Sequence, residues 1–118
     1  MTRESFASLT DLRFLYMFDN MINRIEDETF AKLNYLEALD LSGNGLLEVP
    51  PEIFNLPLLR NLYLADNSFT DRGFEKLQDL SKPLRAPLKI LNIANNRLFK
   101  MPDFGILPDL YTLNISVS

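Results

Sequence analysis

The chain has 118 residues, 12 basic and 16 acidic side chains and a formal net charge of −4, a length that allows one domain at most. No basic stripe marks a nucleic-acid footprint, and no apolar run approaches the roughly 18 residues that would insert this segment into a membrane. There is no histidine and no cysteine, which removes the commonest general base, the thiol nucleophile, thiolate metal sites and disulfides together.

In chain order, the opening MTRESFASLT lacks the basic and then apolar stretches of a signal peptide. An eleven-position frame, L-x-x-L-x-L-x-x-N-x-L, then repeats with Ile, Met or Phe allowed at the leucine positions. It reads LRFLYMFDNMI from Leu12, LEALDLSGNGL from Leu36, LRNLYLADNSF from Leu59 and LKILNIANNRL from Leu88; a fifth copy opens at Leu110 as LYTLNISVS. The units are therefore 24, 23, 29 and 22 residues long. The segments Leu15–Met17, Leu39–Leu41, Leu62–Leu64 and Leu91–Ile93 alternate with period 2, so each predicts a short strand whose leucines share one side. No unit can bury its apolar face alone, so the copies must stack, with their strands parallel.

Asn20, Asn44, Asn67 and Asn96 stand where each strand turns out of the sheet. A buried carboxamide supplies two donors and an acceptor to backbone groups that have lost the ladder, so all four are expected to hold turns rather than ligands. A second register, Phe6-Leu9-Leu12, Phe30-Leu33-Leu36 and Phe104-Leu107-Leu110, with Phe54 and Leu56 in the equivalent place, predicts an aromatic spine behind the strands. Val49-Pro50-Pro51 and Met101-Pro102 predict stiff corners joined to turns or 3₁₀ pieces. In the long third unit Thr70 or Asp71 can cap a helix, and Phe74, Leu77 and Leu80 share one face, which predicts a helix over 72–80. The following loop over 81–87 reads either as a surface insertion or as a functional lip. Glu26-Asp27-Glu28 lacks the glycine and alternate spacing of a calcium loop, so no metal or cofactor is expected. Asn114-Ile115-Ser116 matches the N-glycosylation pattern.

The frame from about Phe6 onward resembles the leucine-rich repeat superfamily, and units of 23 or 24 residues with a recurrent Phe are most similar to animal extracellular receptor ectodomains of the Toll-like or adhesion type. The resemblance implies an α/β fold: a right-handed horseshoe solenoid over 1–118 with short parallel strands on the concave face, and turns, 3₁₀ pieces and one short helix on the convex side. The unfinished fifth copy and the absence of cysteine caps suit a piece of a longer array; an intracellular chain with short caps is the other reading.

Positions between the leucines point outward. The candidates for partner binding are Arg13, Phe14, Tyr16 and Phe18 on the first strand, Asp40 on the second, Arg60, Asn61 and Tyr63 on the third, and Lys89 and Asn92 on the fourth. Aromatics with arginine are the residues that dominate protein interfaces. Phe14 and Phe18 read equally well as ligand contacts or as residues under an N-terminal cap. The expected function is a non-catalytic protein-interaction module of an ectodomain; an intracellular scaffold or enzyme regulator is the alternative. Uncapped ends predict self-association.

Overall fold

The computed structural model describes residues 2, 4–6, 8–48, 50–70 and 86–97, and the backbone of 112–114. Five three-residue strands, β1 (Phe14–Tyr16), β2 (Ala38–Asp40), β3 (Asn61–Tyr63), β4 (Ile90–Asn92) and β5 (Thr112–Asn114), form one sheet in sequence order. Every pair is parallel and in frame register: Leu15, Leu39, Leu62, Leu91 and Leu113 lie side by side. Each strand begins one residue earlier than the L-x-L alternation predicts. The inter-strand bonding nevertheless continues past the strand ends, as Met17 N–H donates to Asp40 C=O (2.8 Å) and Leu41 N–H to Tyr63 C=O (2.9 Å).

The leucines of the frame make the core. Leu36, Leu39, Leu41 and Leu46 of the second unit are fully buried, as are Leu59, Leu62 and Leu64 of the third and Leu88, Leu91 and Ile93 of the fourth. In the first unit the same positions, Leu12, Leu15, Met17 and Ile22, are only partly buried against that core. The frame is equivalent in all units; what differs is that β1 lies at the end of the strand order. Behind the strands Phe6, Phe30 and Phe54 are buried, and Phe6 stacks on Phe30 with centroids 5.8 Å apart and planes 20° apart. The spine expected from the sequence is present at these three positions; Phe104 lies outside the described residues.

At each turn the residue before the frame asparagine adopts a left-handed conformation: Asp19 (φ 54°), Gly43 (φ 70°), Asp66 (φ 54°) and Asn95 (φ 55°). Glycine, Asn and Asp are the residues that visit this region most readily. The next step is a carboxamide ladder. Asn44 Oδ1 accepts the N–H groups of Asn20 (2.8 Å) and Ile22 (3.1 Å), and Asn67 Oδ1 those of Asn44 and Leu46 (both 3.0 Å). Asn96 Oδ1 accepts the Phe69 N–H at 3.0 Å. Each amide nitrogen donates backward, Asn44 to Met17 C=O, Asn67 to Leu41 C=O and Asn96 to Leu64 C=O, and also within its own turn. Asn44, Asn67 and Asn96 are buried; Asn20 is exposed, and its amide donates to Phe18 C=O (3.0 Å) in its own turn. The expectation of burial fails at Asn20 because no preceding coil in the described structure lies over it.

On the other side, Pro51–Asn55 forms the 3₁₀ piece that the proline corner implied, with Ile53 and Phe54 buried. Glu52 in its first turn reaches back to the Phe30 N–H (3.5 Å). Ala86 is buried, and its N–H donates to Phe54 C=O (2.8 Å), which returns the long third unit onto this turn. The predicted helix over 72–80 and residues 81–85 of the expected loop lie outside the described residues, as does the Met101-Pro102 corner.

Candidate functional site

The parallel register sorts the outward side chains into rows that cross the sheet. One row is Phe14, Ala38, Asn61, Ile90; the next is Tyr16, Asp40, Tyr63, Asn92. Arg13, Glu37, Arg60 and Lys89 occupy the position just before the strands in successive units, and Phe18, Ser42, Ala65 and Ala94 the second position past them. All ten candidate residues therefore belong to four neighbouring rows of one face.

Their environments differ. Phe14, Tyr16 and Phe18 are 55, 57 and 55 % exposed, so three large rings at alternate positions along and just past β1 stand in solvent. The rings of Phe14 and Tyr16 are nearly parallel, 9° between planes and 6.5 Å between centroids. Among the described residues nothing covers them. Single exposed apolar residues are ordinary; three contiguous ones are not. Arg13 and Arg60 are exposed, while Asp40, Asn61, Tyr63, Lys89 and Asn92 are half-buried between neighbouring strands.

Two of the candidates also serve their own turns. Asp40 Oδ1 accepts the Ser42 N–H at 2.9 Å, and Asn92 Oδ1 accepts the Ala94 N–H at 3.1 Å. This local side-chain to backbone bond is the typical use of Asp and Asn at a strand exit. Both side chains remain only half-buried. Arg60 pairs with Glu37 of the preceding unit at 2.6 Å. Individual sequence positions did not announce that pair, yet its signal was there: the two charges sit 23 residues apart, one unit length. Asn95 and Asp66 are joined across units in the same way, Nδ2 to Oδ1 at 2.8 Å.

The convex and turn sides offer little chemistry. An open groove of about 690 Å³ beside the first turn is lined by Asn23, Arg24, Ile25, Glu26, Asp27, Leu47 and Glu48. It mixes charges of both signs. Burial pushes the Glu52 carboxyl above the ordinary 4.5, outweighing the backbone hydrogen bonds that favour its ionised form. Among the described residues no cluster of three or more carboxylates could hold a metal ion, and no helix is long and apolar enough to cross a membrane.

A family model described as "Leucine rich repeat" matches residues 1–46 and 19–69. The chain is 31 % identical to Tsukushi of Gallus gallus over 118 residues, an alignment covering 98 % of this chain and 30 % of that protein. It is 33 % identical to Mimecan of Homo sapiens over 121 residues, covering 87 % and 40 %. It is 32 % identical to Nephrocan of Mus musculus over 110 residues, covering 92 % and 20 %. The chain thus spans well under half the length of these relatives.

Proposed function

The chain belongs to the leucine-rich repeat family, of the animal extracellular type, and from that premise we propose that it is a non-catalytic protein-binding module of an extracellular receptor or adhesion protein. The outer strand face is its concave binding surface, in a right-handed horseshoe. The observation that carries this reading is the run of Phe14, Tyr16 and Phe18 along the first unit, each more than half exposed. Large aromatic side chains are the residues whose burial against a partner dominates protein interfaces.

Size sets how much of a partner this face can hold. Five strands at about 4.8 Å spacing and three to five residues each offer a few hundred Å², against about 800 Å² per partner in a standard interface. Further coils would complete a full-sized site, in keeping with relatives of which this chain matches 30 and 40 %.

The test replaces Tyr16 and Tyr63 with Ala, singly and together. Binding of a panel of purified extracellular proteins is measured by surface plasmon resonance, with melting followed in parallel. Loss of a wild-type interaction without loss of the fold supports the outer face. Unchanged affinity for every partner that the wild type captures sinks it.

A further inference from the structure

We infer that Tyr16, Asp40 and Tyr63 form a receiving site for a cationic side chain, an arginine, presented by the protein partner; this deepens the outer-face reading and rests on it. The three residues are consecutive in one row, with Tyr16 beside Asp40 on β2 and Asp40 beside Tyr63 on β3. The two tyrosines therefore stand two strand spacings apart, about 10 Å, with a single carboxylate between them. Asp40 is flanked on its own strand face by Ala38 and Ser42, both small. The register thus brackets one carboxylate between two aromatic residues.

Charge selects the occupant. Among the described residues the Asp40 side chain has no ion pair, and its one hydrogen bond is from the Ser42 N–H to Oδ1. Arg13 and Arg60 stand three positions before its two row neighbours, Tyr16 and Tyr63, and neither pairs with it; Arg60 is held by Glu37. The row before the strands holds three basic residues, Arg13, Arg60 and Lys89, and one acidic residue, Glu37, whereas Asp19 and Asp66 lie past the strand exits. The net charge thus goes from basic at the strand starts to acidic beyond their ends, which favours a cation on the Asp40 side. Aromatic faces attract a cation held within about 6 Å of the ring centre. A planar guanidinium can stack on a tyrosine while donating to a carboxylate, which an ammonium cannot do as well.

The repeat itself supplies the variant that isolates the charge. Asn92 occupies the position of Asp40 two units further on, and its Oδ1 accepts the same turn N–H. Asp40→Asn therefore keeps the Ser42 bond and removes only the negative charge. The full chain is titrated by ¹H–¹⁵N NMR at low salt with N-acetyl-arginine amide, and with N-acetyl-citrulline amide as its uncharged planar isostere. Arginine is expected to shift the amides of Tyr16, Asp40, Ser42 and Tyr63, and Asp40→Asn to weaken it about fivefold, the worth of one partly exposed charge. An equal response to citrulline, or shifts centred elsewhere, overturns the site. If the tyrosine variants abolish partner binding while arginine leaves this row unshifted, the outer face stands and the cation site falls. If partner binding also survives the tyrosine variants, both fall.

Discussion

Asn67 shows what one residue of the frame is worth. Its Oδ1 takes two buried backbone N–H groups and its Nδ2 gives to three carbonyls, two of its own turn and one of the preceding unit. Asn67→Ala leaves those N–H groups buried without partners and is expected to cost about 2–4 kcal/mol in urea unfolding. Asn20→Ala, at the exposed end of the same ladder, is expected to cost under about 0.5 kcal/mol; equal losses at the two sites would remove the ladder as the explanation. Backbone conformation supplies a second pair. Met21 has φ 57° and is 88 % exposed, so its side chain packs on nothing to offset a left-handed backbone. Gly45, one unit on, has φ 73° in open space. Met21→Gly is therefore expected to stabilise the fold by about 0.5–1 kcal/mol, the left-handed penalty less the added chain entropy. Gly43→Ala is expected to destabilise it by about 1–2 kcal/mol, because φ is 70° and a Cβ there would run into the Asp19 carboxylate. Adding Asp19→Ala to that variant should recover the steric part alone, which a double-mutant cycle in urea reads directly.

At the scale of elements, each strand is three residues long and owes its place to the stack rather than to its own propensity. Leu62 on the third strand is fully buried between neighbours, while Leu15 on the first is only partly so. Leu62→Ala is expected to cost about 3–5 kcal/mol and Leu15→Ala clearly less, as measured by thermal and urea unfolding. The 3₁₀ turn Pro51–Asn55 ties two units together through Glu52, which accepts the Phe30 N–H. Burial raises the folded pKa of Glu52 above 4.5, so between 4.5 and that raised value the folded state holds more protons than the unfolded one. Stability must then fall as pH rises through this window. Glu52→Gln keeps an acceptor for Phe30 and removes the titration, so its advantage over wild type should grow from about pH 4 to pH 7; a pH-independent difference between the two proteins would refute the assignment. The strands and the 3₁₀ corner were legible from leucine spacing and Val49-Pro50-Pro51. Strand starts were misread by one residue, because alternation records which side chains are buried and not which backbone groups pair.

For the whole molecule, the first coil is the odd one. Leu9, Phe14, Tyr16, Phe18 and Met21, most of the large apolar residues exposed among the described ones, lie between residues 9 and 21. Leu12, Leu15, Met17 and Ile22 of the same coil are only partly covered, and β1 is an edge strand. Exposed apolar edges of this kind pair with other chains. The chain studied alone is accordingly expected to associate as concentration rises, with Leu15→Lys reducing the effect; light scattering that shows a monomer throughout would contradict it.

The repeat, the parallel stack, the register of the rows and the aromatic positions behind them were determined by sequence alone. Each follows from a pattern that recurs unit by unit, and stacking identical frames admits one alignment of their leucines. The candidate face was legible for the same reason, since residues between inward leucines must point out. What only the tertiary structure decided is how equivalent positions come to differ. Asn20 and Asn67 share a frame position, yet one is exposed and the other holds two turns. Asp40 accepts its own turn's Ser42 N–H while Arg60 is bound to Glu37. Glu52 is half-buried under a neighbouring turn. Burial, pairing and proton affinity depend on which unit lies on either side, and a frame that reads alike in every copy carries no record of its neighbours.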